Sequence, residues 1–470
     1  MKVLKNKLRE HVKETHPIFY TLTYNSQGNE KWIFSPSAAC RRLEEKGFGI
    51  ENGFLVRVTD SIVESVAKED AYRELLEEVK QCDDQTLEDD FIKNGERFFL
   101  KDRGALLSLK QLDKKLARDS KNQTHHFYRD GAILVTEDEF IKIEYSDLDG
   151  LVRSEWIINR SMPNLDRIGV SVACKFIGKI TFDEAQKLTL ECLAGYLMSN
   201  HKDSSNAKMG LLTASNPREG GAGKDLFRKM IEQHVPTCVI DGKRVDPEKD
   251  KFWNQNHKNQ PILYIADMEN PNIRPYFHCI TDAMEKEIKY RDKVVIPFED
   301  SPKLLGSANS EYIETNAAYR RRSFIVRLTN YYNDRHTPID DFGQVFFDDW
   351  DQGEWELFDL YMMECSQKFL KHGLIEYDNE EFKLKSAINK TSQEFWQCMT
   401  EGGFGKIDTL HLKNELRYAL TELNPYYRNI SHKKLKTWLE VFAEFHGYTI
   451  EEQRGTDGFA GYTLLGDDLM

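Results

Sequence analysis

Lys208-Met209-Gly210-Leu211-Leu212-Thr213, followed by Gly220-Gly221-Ala222-Gly223-Lys224-Asp225-Leu226-Phe227, is the stretch on which the fold turns. A short apolar run gives way to glycines and then to a helix start, so the segment reads strand, loop, helix. A loop of this kind binds phosphate for three reasons. Its glycines let successive backbone N–H groups converge on one anion, the helix N-terminus adds partial positive charge, and a lysine reaches the outer phosphates. Gly220, Gly221 and Gly223 supply the loop and Lys224 the lysine. The strict pattern G-x-x-x-x-G-K-[ST] is missed at both ends. Arg218 holds the first glycine position, and Asp225 holds the hydroxyl position that ordinarily ligates Mg2+.

Two later segments have the form such a loop needs beside it. Pro261-Ile262-Leu263-Tyr264-Ile265-Ala266-Asp267 is an apolar strand ending in a carboxylate, and Ser301-Pro302-Lys303-Leu304-Leu305-Gly306-Ser307-Ala308-Asn309 is a second strand ending in an amide. Lys224 and Asp267 are 43 residues apart, and Asp267 and Asn309 are 42 apart. Each gap holds a helix and a returning strand, so a parallel α/β sheet is expected, with three strands ending at one edge. Nucleotide hydrolysis needs a carboxylate for metal and water and a polar sensor at the γ-phosphate; Asp267 and Asn309 are the candidates. Tyr319-Arg320-Arg321-Arg322 follows, where one guanidinium would reach the phosphates of a neighbouring subunit. Arg321 is the candidate within that triplet, with Arg320 and Arg322 as its alternatives.

Outside this core, 470 residues are enough for about three domains. With 65 Lys and Arg against 78 Asp and Glu, the net charge is −13, so any polyanion must be met by a local patch. No apolar run approaches the length that crosses a bilayer, and the N-terminus lacks the core of a secretory signal. The eight cysteines are scattered without a C-x-x-C pair, which argues against zinc knuckles and disulfides and for reduced thiols in a cytoplasm.

Changes of pattern divide the chain. Residues 1–160 read as a mixed α/β region: Phe54–Val58 is strand-like, Val66–Val79 is helical, and a hairpin is expected around Asp130-Gly131. A helical collar occupies 161–205, with Leu190, Leu193, Ala194 and Leu197 in one apolar stripe. The core spans 206–375, a charged connector 376–404, and a last domain 405–470. In that domain Leu412, Leu416, Ala419, Leu420 and Leu423 mark one helix. Ser431 caps a second that buries Leu435, Trp438, Leu439 and Phe442, and two strands around Gly455–Gly458 close a winged helix.

These residues together resemble the superfamily 3 helicases, specifically the poxvirus-type primase-helicase proteins of phages, plasmids and mobile elements. The resemblance spans about residues 120 to 465. It includes Gly220–Lys224, Ile280-Thr281-Asp282, Ser301-Pro302-Lys303, Asn309, His336–Gly343 and Phe347–Asp351 with Glu354-Trp355. It implies an AAA+-like P-loop ATPase that uses ATP and Mg2+ and moves along single-stranded or forked DNA as a homo-oligomer, with a hexameric ring as the expected form. It also implies that Lys224 sits on the phosphates, Asp267 at the water, Asn309 at the sensor position, and an arginine of the triplet acts in trans. No primase centre is expected: Asp147 and Asp149 read as a turn.

The chain departs from that family at the metal. Ala266-Asp267 replaces two adjacent acids, and Asp225 replaces Ser or Thr. Either hydrolysis is impaired and the protein is a nucleotide- and DNA-binding replication or regulatory factor, or Asp225 and Asp267 share the Mg2+. For DNA, residues 405–440 carry seven Lys and Arg against four acids, and Lys433, Lys434 and Lys436 lie beside the apolar stripe. The stretch Lys286–Lys293 resembles the family's central-channel hairpin, in which Lys289 and Lys293 would follow a strand's backbone.

Overall fold

The computed structural model describes residues 16–24, 26, 28, 30–51, 54–101, 105–113, 115–215, 220–269, 271–289, 293–309, 317–377, 384, 387–388, 390–454 and 460–466. The chain divides into two units, 1–375 and 376–470.

The first unit opens with an antiparallel ribbon of β1 (Tyr20–Tyr24) and β2 (Glu30–Phe34). Helix α1 (Pro36–Glu45) and a meander of β3 (Phe48–Glu51), β4 (Phe54–Thr59) and β5 (Ile62–Ser65) come next, then α2 (Lys68–Lys80) and α3 (Gln85–Gly95). Ser35 and Asp84 cap α1 and α3 by accepting backbone N–H bonds, and Phe19, Leu43, Leu75, Phe91 and Phe99 fill the core between these elements. A second antiparallel sheet holds β6 (Gln123–Tyr128), β7 (Gly131–Thr136) and β8 (Phe140–Ile143), and β9 (Val152–Arg153) pairs with β5. The hairpin expected at Asp130-Gly131 turns through Arg129-Asp130, with Gly131 already paired to Tyr128.

Helices α4 (Val172–Ile180) and α5 (Glu184–Met198) lead into the core: β10 (Met209–Ala214), α6 (Lys224–Glu232), β11 (Thr237–Asp241), β12 (Ile262–Met268) and α7 (Phe277–Thr281). The hairpin β13 (Met284–Lys286)–β14 (Val294–Ile296) follows. The core then closes with β15 (Lys303–Ala308), α8 (Ala317–Arg322), β16 (Ser323–Leu328), α9 (Pro338–Phe342) and α10 (Gln352–His372). Five strands form one wholly parallel sheet in the order β11-β12-β15-β10-β16. β10, first in sequence, lies inside the sheet. The chain leaves it for one side and returns to its other edge with β16, so the crevice at its carboxyl end is a topological switch point. β10 and β15 are buried at every position, as central strands covered on both faces must be.

Helix α5 departs from the single stripe read in the sequence, because it is buried on all sides from Thr189 to Met198. It lies between the sheet and α10. A Cβ on Gly210 would meet Leu193, and one on Gly195 would stand 2.3 Å from the carbonyl oxygen of Cys365. Glu191, carried into this interior, is bonded by Lys368 Nζ at 2.6 Å and the Tyr361 hydroxyl at 2.9 Å.

A second buried polar chain ties β6 to the exit of α6 and to α10. His125 and His126 lie in β6, and His126 is 3% exposed. Its Nε2 is 2.9 Å from Ser366 Oγ and its Nδ1 3.0 Å from His234 Nδ1. His234 Nε2 is 3.0 Å from Asp359 Oδ1, and Arg160 donates to both Asp359 oxygens while its guanidinium stacks 4.2 Å over Trp355. Burial holds His126 well below the ordinary histidine pKa. Burial also lowers His234, outweighing the opposite pull of Asp359. Burial pushes Asp359 upward, but His234 and Arg160 prevail and its carboxyl titrates low.

In the second unit, α11 (Gln393–Thr400), β17 (His411–Leu412), α12 (Lys413–Leu423), α13 (His432–His446), β18 (Tyr448–Arg454) and β19 (Ala460–Gly466) surround one core, with the antiparallel strand order β17-β19-β18. α11 falls in the stretch expected as a connector. Its Phe395, Trp396, Cys398 and Met399 join Leu416, Leu420, Leu435, Trp438 and Phe442 in that core. A helix of little over two turns beside a charged run gives too short a period to read. Asn424 ends α12 and Ser431 caps α13 through the N–H of Lys434. The turn Gly455–Gly458 lies outside the described residues.

Candidate nucleotide site

Gly221 and Gly223 adopt φ of 87° and 88°, the left-handed region that favours glycine. The second is also pressed from behind: a Cβ on Gly223 would lie 2.9 Å from Phe176 and 3.0 Å from Ile180 of α4. Gly223 is the N-cap of α6 and has no side chain to accept a bond, so the first amides of the helix receive no side-chain cap. Gly220 and Gly221 are exposed, and residues 216–219 lie outside the described residues.

Lys224 reaches from α6 to the end of β15, where its Nζ donates to Asn309 Oδ1 at 2.6 Å and to the Ala308 carbonyl at 2.8 Å. Burial lowers its pKa, and the charge of Asp267 opposes that shift. Asp267, at the end of β12, has φ 51°, and its exposed carboxylate lies 3.8 Å from Lys243 Nζ. Its backbone N–H donates to Ser307 Oγ at 3.0 Å. Lys224 is therefore brought onto Asn309, 85 residues away, and Asp267 ends the neighbouring strand at the same edge of the sheet.

Asp225 sits in the first turn of α6. Its Oδ1 accepts from Arg228 Nε at 2.9 Å, and its Oδ2 lies 3.3 Å from Lys229 Nζ. Burial raises its pKa, but these two cations outweigh the effect and leave it low. Arg228 also bonds Glu232 at 2.6 Å and lies 5.4 Å over the ring of Tyr264. Among the described residues, no group of three or more His, Cys, Asp or Glu could hold a metal ion.

The arginine triplet is split by its surroundings. Arg322 lies 5.0 Å over the Phe277 ring and donates to Ala318, whereas Arg320 and Arg321 are exposed at the end of α8. Lys293 stands on the β13–β14 hairpin and is ion-paired with Glu285. Lys289 is exposed near its tip, and residues 290–292 lie outside the described residues. In the second unit Lys433, Lys434 and Lys436 are exposed on α13. Lys434 lies 5.2 Å over Trp438, and Lys436 is turned toward Glu452 at 3.4 Å, an acid already bonded by Lys413 at 2.7 Å.

Sequence reasoning missed Ser307, Tyr264 and Arg228, which stand beneath these groups. Ser307 had a signal: a hydroxyl in an otherwise apolar strand. Lys303, noted only as part of a motif, is buried and donates to the carbonyls of Tyr196 and Ser199, which fastens the start of β15 to the end of α5. Burial pushes it down to about 7.

No family model matches this chain, and no curated protein does. Among solved structures, two apo A-form structures of the NrS-1 C-terminal region are each 10% identical and cover 91% of this chain and 99% of their own, at TM-scores of 0.43 and 0.40. The JCV helicase bound to a thiazolopyridine acetamide is 11% identical over 50% of this chain and 64% of its own, at a TM-score of 0.26. At such scores the likeness fixes neither fold nor function. No helix among the described residues is long and apolar enough to cross a membrane.

Proposed function

We propose that this chain is an ATP-dependent DNA helicase or translocase that acts as a homo-oligomer, with a hexameric ring as the expected form, in replication of a phage, plasmid or integrated mobile element. One observation carries the reading. A lysine following left-handed glycines, a carboxylate and an amide meet at the carboxyl edge of a parallel sheet, beside the strand where its order reverses. In this reading Gly220, Gly221 and Gly223 cradle the phosphates and Lys224 exchanges Asn309 and Ala308 for phosphate oxygens. Asp267 orients water, Asn309 senses the terminal phosphate, and Arg321 acts on the neighbouring subunit's nucleotide. Mg2+ requires few protein ligands when phosphates supply the rest, and Asp267 would hold it and help neutralise phosphate charge. Asp225 would join it only by releasing Arg228 or Lys229. Lys289 and Lys293 would meet single-stranded DNA, and Lys433, Lys434 and Lys436 would meet it from a winged helix formed by α12, α13, β18 and β19.

A second reading, a hydrolysis-deficient nucleotide- and DNA-binding factor, is favoured by Ala266 and by the pairing of both Asp225 oxygens with cations. ATP turnover with and without single-stranded DNA, on protein sized by light scattering, separates the two. The helicase reading expects DNA-stimulated turnover that falls by about 100-fold or more in Lys224→Ala. If turnover is absent while salt-dependent DNA binding is indifferent to Lys224→Ala, the second reading stands. For the metal, Asp225→Ala turning over no worse than wild type removes Asp225 from the Mg2+ ligands.

A further inference from the structure

The pairing of β12 with β15 is regular to Ile265↔Gly306 and resumes at Met268↔Ala308, so Ala266 and Asp267 stand opposite Ser307 alone. A bulge of this kind leaves one residue without its ladder partner. That residue is Asp267, and it is also held in a left-handed conformation, uncommon for any residue but glycine. Its N–H is taken by Ser307 Oγ at 3.0 Å, and the same oxygen accepts the Tyr264 hydroxyl at 2.8 Å. Ser307 and Tyr264 are 1% and 2% exposed, so water offers no substitute. Arg228, anchored by Asp225, covers the Tyr264 ring.

We infer that Ser307 is a positioning residue: its hydroxyl replaces the ladder acceptor that the bulge removes, and so fixes the backbone from which the Asp267 carboxylate reaches the nucleotide site. Tyr264 holds that hydroxyl in place. The contacts run from Asp225 through Arg228, Tyr264 and Ser307 to Asp267, and they join the residue after the lysine to the acid that works opposite it. An anchoring role for Asp225 follows. The inference rests on the hydrolase reading for its effect on rate and on geometry alone for its effect on the backbone.

Two measurements on the full chain test it together. In Ser307→Ala, kcat for ATP should fall by about 10- to 100-fold with KM changed less than about twofold, because a displaced carboxylate spoils orientation and leaves binding intact. Ser307→Thr, which keeps the hydroxyl, should recover most of the loss. Hydrogen exchange in peptides spanning residues 262–269 should quicken in Ser307→Ala and stay at the wild-type level in Ser307→Thr. Unchanged exchange in Ser307→Ala overturns the inference, and so does an unchanged kcat or an equal loss in both variants. If the wild type proves unable to hydrolyse ATP, the reading of the site falls, and exchange at 262–269 still decides whether Ser307 holds Asp267.

Discussion

The contacts Ser366–His126–His234–Asp359–Arg160 and the contacts Tyr264–Ser307–Asp267 both lie in the first unit, but the former end on a full ion pair and the latter join hydroxyls to a backbone amide. Neutral hydrogen bonds each contribute about 0.5–1.5 kcal/mol, whereas removing one partner of a buried ion pair strands a charge at about 3–5 kcal/mol. The ionic chain joins β6, the residues after α6 and α10, which are distant in sequence. The hydroxyl chain joins neighbours on two adjacent strands. Their difference separates what holds the unit together from what shapes one backbone position within it.

Asp359→Ala should break the ionic chain with the largest effect, lowering unfolding stability by about 3–5 kcal/mol in urea titrations, since it leaves the partly buried Arg160 guanidinium without its carboxylate and removes the buried charge beside His234. The affinity of any correctly folded fraction for nucleotide should hold; equal stability of the variant and the wild type would show that the chain bears no load. Acidification should strain the same chain next. His126 and His234 are depressed in the folded state, so below about pH 6.5 the unfolded chain takes up more protons than the folded one. Their contribution is complete above that value and declines as pH falls toward the folded pKa values; His257, lowered to about 4 by burial, acts in the same direction. The urea midpoint should therefore drop between pH 7.5 and pH 5, and less steeply in His126→Phe. Tyr264→Phe should be the mildest, costing about 1 kcal/mol and a smaller part of kcat than Ser307→Ala, because Ser307 keeps its bond to Asp267. A larger loss from Tyr264→Phe than from Ser307→Ala would reverse the order of dependence along the hydroxyl chain.

Much of the core was legible because its signals are local. Gly221 and Gly223 need left-handed backbone, Leu263 and Leu304 announce buried strands, and Ser431 announces a helix start; each depends on a few adjacent residues. Lys224, Asp267 and Asn309 could be grouped because central parallel strands end at one edge. What escaped notice depends on register and packing. Nothing near Asp267 marks a bulge, since the missing pairing is decided by the alignment of β12 with β15. Helix α5 looked amphipathic because a second covering helix, α10, comes more than 150 residues later. His126 carries no local mark of its contacts for the same reason: its companions at 234 and 366 are far along the chain. The cations that engage Asp225 lie one turn further on, outside the loop pattern in which it stands.

The ammonium of Lys224 rests on Asn309 and on the carbonyl of Ala308. An incoming anion that draws the ammonium away leaves two acceptors at the tip of β15 in need of a new donor. Arrival at the glycine loop would then be registered on the far side of the crevice as an exchange of partners by a single side chain.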